Sequence, residues 1–531
     1  MEWPRWPSNH HRNGKRQKSQ NRLVYFSTIS PANKKIPVKR GNQEMMSHRT
    51  ISGVVLLLAC LVSSVVVART WIDTTGTFKV EADLLGLEDG LVRLKKEDGT
   101  VLSVPLARLR STDRKFALQA EQTTTVAVAA PKRVSRDWPQ WRGPARDGVS
   151  PVTGLNNDWS TSSPRLLWSV KGMGNGYASV AISNGRIYTL GKHDGQEHLS
   201  AFLQEDGSHV WSTPVGSGDH SNGTPTVDGN LVYAVGLKGD LVCVDAEAGK
   251  LVWKKNYGKD FGGRMMSGWG FSESPLVDGD RLICTPGSNQ AMMAALDKKT
   301  GTVVWKSPFP KGGGRGNDGA GYSSIVISQV GAIKQYVQLV GRGVIGVAAK
   351  DGSFLWGYDR IANGTANVPT PVISGDLVFC SSGYGDGGSA LLRMKVQGEK
   401  LGTEEVYYRS ASELQNHHGG MVQVGDYIYF GHGHNRGLPI CVHLATGKVM
   451  WGPVRGAGSG SAAVAFADGH LYFRYENGLM ALIEATPDEY RLKGTFTIAS
   501  RNGKSWPHPA IADGKLYLRD QDELHCYALT R

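Results

Sequence analysis

Cysteine is scarce in this chain: six residues in 531, no two of them adjacent. Without a C-x-x-C-H run there is no attachment site for a fused c-type haem. The five cysteines beyond residue 68, Cys243, Cys284, Cys380, Cys441 and Cys526, are spread too widely for a disulfide framework and read as small buried residues. Charge is also thin, at 20% of residues, and the formal net charge of +13 is unevenly placed. Residues 1–50 hold 11 Lys/Arg against 2 acidic residues, residues 51–68 hold no charge, and the remainder holds 49 basic against 45 acidic residues. The bulk of the chain is nearly balanced, so no nucleic-acid partner is expected. No G-x-S-x-G stands in a strand-to-helix setting, and G-K-S at Gly503–Ser505 lacks the spaced glycine of a P-loop. The run Gly314–Gly319 fits G-x-G-x-x-G but precedes a strand instead of a helix, and reads as a loop.

Glycine, by contrast, is abundant, with 68 residues, and it is periodic. Hairpin glycines fall at Gly185, Gly229, Gly279, Gly331, Gly375, Gly425, Gly469 and Gly514, spaced 44 to 52 residues apart. Most sit in an Asp-Gly, Asn-Gly or Gly-Asp turn beside an alternating apolar strand, as in PTVDGNLVY at Pro225–Tyr233, and the copy at Gly331 is the weakest. A second glycine turn and a bulky residue follow, at Trp211, Trp253, Trp305, Trp356 and Trp451, with Tyr407 or Tyr408 and Phe496 as weaker counterparts. A period of this length built from strands predicts an all-β propeller, here with eight blades. The eighth repeat ends at LHCYAL without its last strand, while RLLWSV at Arg165–Val170 stands unpaired before the first hairpin. Pairing of these two would close the ring with Trp168 and leave no exposed sheet edge.

The turn phrases AGKLVW (Ala248–Trp253), TGTVVW (Thr300–Trp305) and TGKVMW (Thr446–Trp451), with the opening DWPQWRGP (Asp137–Pro144), resemble the PQQ-like repeat family. The resemblance covers residues 137–531 and implies a β-propeller. It is poor for activity, since one fold hosts many functions.

The front of the chain reads differently. Starting at Met45 or Met46, a short basic region, the apolar run Ile51–Ala68 and a small-x-small end describe a secretory signal peptide over residues 45–68. Cleavage after Ala68 ranks first, retention as an 18-residue membrane anchor second, and lipidation of Cys60 in LLAC third. Residues 1–44 then read as a basic disordered tail or a mistaken upstream start. Residues 69–120 carry W-x-D-x-x-G (Trp71–Gly76) and LEDGLVRLKKEDGTVLSVPL (Leu87–Leu106), which resemble the SH3-like adaptor domain named for homology to a yeast actin-patch protein. That resemblance implies a small SH3-like β-barrel that binds proteins. Residues 121–136 read as a linker.

In a propeller the segments entering each innermost strand converge at one mouth of the central channel. Here these segments carry Asn175 and Tyr177, His220 and Asn222, Trp269 and Glu273, and Asp318 and Tyr322. The other four supply Asn363 and Asn367, His417 and His418, Ser459 and Ser461, and Trp506 and His508. Together they form a candidate small-ligand site; the bland alternative is that they satisfy buried backbone groups and hold channel waters. His417 and His418 are adjacent, so on an extended strand they should face opposite ways, whereas His432 and His434 have the spacing that brings imidazoles together. No metal site is assigned.

By resemblance to quinoprotein dehydrogenases, Glu273, Asn367, Asp318 and Trp269 are counterparts, by loop position, of the groups around pyrroloquinoline quinone (PQQ) and Ca²⁺, with Glu273 and Asp318 the weak catalytic candidates. The missing vicinal cysteine pair departs from that pattern. The sequence therefore reads as an exported periplasmic or envelope binding and scaffold protein. Its partners would be proteins, through the SH3-like domain and the propeller surface, or a small ligand in the channel, with membrane association through residues 51–68. A PQQ-dependent alcohol dehydrogenase of the polyvinyl-alcohol type is the alternative.

Overall fold

The structure is a computed structural model that describes residues 69–88, 91–110, 112–114, 116–117, 136–309, 314–398 and 400–530. The expectations for the basic tail, the signal segment and most of the linker fall outside these residues. Among the described residues no helix is long and apolar enough to cross a membrane. The chain divides into two compact units, Met1–Glu121 and Gln122–Arg531.

The first unit is an antiparallel meander of strands Arg69–Ile72, Lys79–Glu88, Leu91–Lys95 and Val101–Pro105, paired in sequence order. Alternation in Leu91–Lys95 buries Val92 and Leu94 and exposes the residues between them. They pack with Trp71, Ala82, Leu109 and Ala117, and the Trp71 indole donates to Ala82 O at 3.0 Å. The polar segment that follows supplies a fully buried carboxylate, Asp113, which accepts from Ile72 N and Arg110 Nε, both at 2.9 Å, and pairs with Arg69.

Among its described residues the second unit is almost entirely strand, with one short helix, Tyr257–Phe261. Eight four-stranded antiparallel sheets follow one another along the chain. The second is representative: Thr226–Asp228, Leu231–Val235, Asp240–Asp245 and Leu251–Asn256, in that order. All eight hairpin glycines, including Gly331 in the least regular repeat, have φ between +57° and +77°, the left-handed region where only glycine is unstrained. The eighth sheet has the order Ala510–Ala512, Lys515–Asp520, Glu523–Ala528, Arg165–Lys171, with Cys526 opposite Trp168. The start of the unit thus pairs with its end, and Trp168 packs on the cluster containing Leu518 and Leu529.

The glycine turn before each bulky residue has a packing reason. A Cβ on Gly249 would lie 2.6 Å from the Trp211 ring, one on Gly301 2.8 Å from Trp253, and one on Gly352 2.4 Å from Trp305. Each glycine is where the preceding sheet's outer aromatic lies flat. Trp211 and Trp253 also donate from Nε1 to Ala246 O and Lys298 O of the next sheet, at 3.2 and 3.0 Å. Tyr407, the weaker counterpart, does the same to Leu444 O at 2.8 Å and covers Gly447. The pattern continues across the join, where a Cβ on Gly207 would meet Trp168 at 3.0 Å. Where the junction residue is a tryptophan, its burial stabilises on the order of a few kcal/mol.

The five cysteines are buried and unpaired, as expected. Cys243, Cys441 and Cys526 stand opposite Tyr233, Tyr429 and Tyr517 in the strand registers, which explains their shared place in the repeat.

Candidate functional site

Ahead of five of the innermost strands, hydroxyl side chains stitch one loop to the next. Ser179 N donates to Thr224 Oγ1 (3.1 Å), Thr224 N to Ser274 Oγ (3.0 Å), Ser274 N to Ser324 Oγ (3.0 Å) and Ser324 N to Thr370 Oγ1 (3.2 Å). Ser179 Oγ donates to His508 O at 2.7 Å, joining the first loop to the last. The loops therefore do converge at one end of the sheets.

The space they surround is occupied by residues 137–150 of the chain itself. Trp138 exchanges backbone hydrogen bonds with Ile182 (2.9 and 2.8 Å), and Val227 N donates to Pro139 O (2.8 Å). Trp141 Nε1 donates to Thr370 Oγ1 (3.4 Å), and the Arg142 guanidinium to Met421 O. Arg146 donates to Ser274 O (2.6 Å) and Pro275 O (3.2 Å). Phe466 receives and gives bonds with Gly148 and Ser150, while Ser150 Oγ reaches Ile511 O (3.0 Å). Seven of the eight sheets are touched at their innermost strand or the residues just before it. Arg142 and Arg146 are 2% and 3% exposed, and burial pulls their pKa values down to about 10 and about 9. Carbonyl oxygens, not carboxylates, are their principal partners.

Above this plug lies an arc of rings. Tyr177 packs on His220 (centroids 5.9 Å) and Trp506 (4.7 Å), and Trp506 on Trp269 (6.2 Å) and His418 (5.0 Å). His418 lies 4.2 Å from His417, which in turn meets His434 (4.4 Å) and Tyr384 (4.8 Å). Tyr322 joins through its hydroxyl, which accepts from Trp269 N (3.2 Å) and lies 2.7 Å from Ser267 Oγ. Asn222 holds the arc in place, donating to Trp269 O (3.1 Å) and Ser272 Oγ (3.0 Å). Trp269 stays 50% exposed. Lys504 Nζ sits 5.0 Å over the Trp506 ring and pairs with Glu476 at 3.0 Å; Glu476 also accepts from Trp506 Nε1 at 2.9 Å.

The other candidates are placed elsewhere. His508 lies against the plug, 4.4 Å from Trp141, with Nε2 3.3 Å from His418 O. Asn363 and Asn367 bond to each other, and Asn367 Nδ2 donates to Val340 O and Gly341 O, each at 3.0 Å. Asp318 is held between Arg264 (3.0 Å) and Arg342. The Glu273 carboxyl, 2% exposed, accepts from the Tyr257 hydroxyl (2.5 Å) and Thr285 N (2.7 Å), and burial raises its pKa. Asn175 and Ser459 are exposed, whereas Ser461 Oγ is 2.5 Å from His417 Nδ1.

Both strand-geometry expectations for the histidines are corrected. His417 and His418 are neighbours because the strand Asn416–Val424 is irregular between Asn416 and Met421, where Gly420 takes φ +74° and breaks the alternation. His432 and His434 separate because Gly433 turns at φ +84°: His432 Nδ1 accepts from Gln415 N, while His434 packs on Tyr384. Among the described residues no three His, Cys, Asp or Glu side chains are disposed to hold a metal ion. Burial and the neighbouring imidazoles and cations hold His417 at a pKa of about 2, and His418 and His508 at about 3, so these rings are neutral.

Of the oxygen donors that a calcium–quinone pair would need, Asn367 is tied to backbone and Asn363, and Asp318 to two arginines. Glu273 holds Tyr257 and Thr285 through Oε1 alone, and its Oε2 is buried without a hydrogen-bond partner. In this arrangement Asn367 and Asp318 do not fit such a pair.

Comparison with known proteins agrees with this architecture. Residues 195–453 match the family described as outer membrane protein assembly factor BamB, and residues 64–125 match SLA1 homology domain 1. Over these segments the chain is similar to BamB-type PQQ-like repeat proteins and to SLA1 homology domains. Among curated proteins it is 27% identical over 160 residues to tetrathionate hydrolase of Acidithiobacillus ferrooxidans, covering 29% of this chain and 31% of that one. It is 32% identical over 105 residues to BamB of Salmonella typhimurium, covering 18% of this chain and 25% of that one. Over 45 residues it is 49% identical to sla1 of Schizosaccharomyces pombe, covering 8% and 3% respectively. The chain thus spans about a third or less of these relatives' lengths. Among solved structures, a europium-containing methanol dehydrogenase aligns with TM-score 0.53 at 12% identity, over 74% of this chain and 98% of that one. The quinohemoprotein alcohol dehydrogenase of Comamonas testosteroni aligns with TM-score 0.53 at 12% identity, over 76% and 82%. At that identity the likeness is one of fold.

Proposed function

We propose that this protein is an envelope-associated binding and scaffold protein: a closed eight-bladed propeller over residues 137–531, preceded by an SH3-like adaptor over 69–120 and a linker over 121–136. Residues 45–68 direct export, and the mature chain begins at Arg69. The adaptor and the propeller surface bind proteins, in keeping with the BamB-type and SLA1-type segments, and the arc of rings binds a small ligand. The observation that carries the reading is the plug. With residues 137–150 bonded to seven inner strands or their approaches, the channel has a protein floor, and the rings above it form a cup.

A quinone-dependent alcohol dehydrogenase is the second reading, favoured by the dehydrogenase folds that align along most of the unit. It requires Asn367 and Asp318 to leave their present partners, while Glu273 has Oε2 without one. Adding PQQ and Ca²⁺ to the full chain and following alcohol-dependent dye reduction separates the two. The binding reading expects no turnover; dye reduction abolished by Glu273→Ala would replace it with the enzyme. Mass spectrometry of the mature N-terminus tests the export reading, which expects Arg69.

A further inference from the structure

In four sheets the outer tryptophan stands against a tyrosine of the same sheet's second strand. The ring centroids are 6.0 Å apart for Trp211 and Tyr188, 6.2 Å for Trp253 and Tyr233, 6.0 Å for Trp451 and Tyr429, and 6.1 Å for Trp168 and Tyr517. The seventh sheet, Ala462–Ala467, His470–Tyr475, Leu479–Glu484 and Leu492–Thr497, has the tyrosine, Tyr472, but only Phe496 on its outer strand. Its indole comes from another part of the chain. Trp159, 2% exposed, lies 5.6 Å from Tyr472 and 5.2 Å from Phe496. Gly494, at φ +122°, makes the room: a Cβ there would meet Trp159 Cβ at 2.8 Å. Trp159 Nε1 has no hydrogen-bond partner, so this indole acts by packing alone.

Trp159 belongs to the stretch between the plug and the closing strand Arg165–Lys171, and that stretch is bonded to both sheets that meet at the seam. Ser150 N donates to Phe466 O (2.8 Å), Leu155 N to Asp468 Oδ2 (2.8 Å) and Trp159 N to Lys493 O (2.7 Å), all in the seventh sheet. Ser150 Oγ donates to Ile511 O (3.0 Å) in the eighth sheet, and Asn156 N to Leu529 O (2.6 Å) just past its third strand. Val152, Leu155 and Trp159 share one buried cluster with Trp138 of the plug and Leu524 of the eighth sheet, and Trp168 packs against it.

We propose that residues 148–171 form a clasp: the plug, Trp159 and the closing strand release together, so the shape of the mouth is coupled to the seam. This goes beyond the binding reading and holds equally for an enzyme. The closing strand lies at a sheet edge with one partner strand, Glu523–Ala528, and such an edge alone would fray. Four residues, 161–164, separate it from Ser160, whose amide also donates to Lys493 O at 3.0 Å. Fraying therefore has to lift an indole whose burial stabilises on the order of a few kcal/mol.

Hydrogen–deuterium exchange of full-length variants tests the coupling. Trp159→Leu should speed exchange of amides 165–171 about tenfold or more, with those of Trp138 and Ser150 rising alongside, while 251–256 of the second sheet stays within about twofold. Trp253→Leu, the same change away from the seam, should leave 165–171 within about twofold. Asp468→Gly is the milder variant, since glycine is at ease at the φ +47° of Asp468 and only the acceptor for Leu155 N is lost. It should move the same amides in the same direction. Exchange of 165–171 unchanged in both Trp159→Leu and Asp468→Gly overturns the proposal. So does faster exchange of 165–171 with the Trp138 and Ser150 amides unmoved, an equal rise at every amide, or a rise of the same size in Trp253→Leu.

Discussion

Replacing Arg519 should loosen the ring where it closes. Arg519 lies in the strand Lys515–Asp520 of the last sheet, is 1% exposed, and reaches into the first sheet and its entering loop. Its Nη1 donates to Thr189 Oγ1 (2.6 Å), Ala178 O (3.2 Å) and Leu190 O, and its Nη2 to Gly174 O (2.6 Å) and Met173 O (3.3 Å). Arg519→Met keeps much of the volume and removes every donor, leaving several buried carbonyls unpaired at about 1–3 kcal/mol each. Part of this is offset because the guanidinium no longer has to be desolvated, a penalty of several kcal/mol. Burial has already pulled its pKa down to about 9. The net loss should be about 3–5 kcal/mol, as for breaking a buried charged contact from one side. With an unfolding entropy of about 2.1 cal/mol/K per residue over about 400 residues, that is a fall in Tm of roughly 4–6 °C by calorimetry. Arg519→Lys should fall between the two, since one ammonium cannot span both groups of carbonyls. If Arg519→Met melts within about 1 °C of wild type, the guanidinium is not what ties the last sheet to the first.

The two kinds of repeat glycine should respond differently. Gly249→Ala should lose about 1–3 kcal/mol in chemical denaturation, since its Cβ would press on Trp211, whereas Gly185→Ala, with open space around it, should lose about 1 kcal/mol from its positive φ alone. Stability should also depend on acid in one direction. His417, His418 and His508 are depressed in the folded chain to about 2, 3 and 3, while the unfolded chain takes up these protons near pH 6.5. Their contribution is therefore complete above pH 6.5 and is lost as pH falls toward about 3, on the order of 2–3 kcal/mol per ring by pH 4.5. Urea midpoints measured from pH 7 to 4.5 check this, and His508→Gln should flatten the profile.

Much of the propeller could be read from the sequence because its repeat is set by local chemistry. The hairpin glycines mark positive φ, and the A-G-K-x-x-W ending marks a glycine under the previous sheet's tryptophan. The unmatched strand at Trp168 gave closure, because a missing partner at one end and a spare strand at the other leave few alternatives. The mouth was legible in part: Tyr177, His220, Trp269, His417, His418 and Trp506 do come together. Glu273, Asn367 and Asp318 carry the right residue types at the right places in the chain, yet Asn367 and Asp318 are bound elsewhere and Glu273 is engaged through one oxygen, which position alone does not reveal. The plug was missed. DWPQWRGP stood out only as a family opening, although Arg142 and Arg146 beside Gly143 and Gly148, ahead of the first strand, could have suggested carbonyl clamps in a buried channel. The hydroxyl stitch had a periodic signal in Ser179, Thr224, Ser274, Ser324 and Thr370, but single hydroxyls before strands are common enough to hide it.

Everything at the mouth depends on the ring closing through Arg165–Lys171. Hydrogen–deuterium exchange of the full chain measures that directly. The closed ring predicts slow exchange for the backbone amides of 165–171 that bond to Glu523–Ala528, protected to a similar degree as those of 523–528. Exchange of 165–171 at the rate of unpaired chain, beside a protected 523–528, would show an open ring.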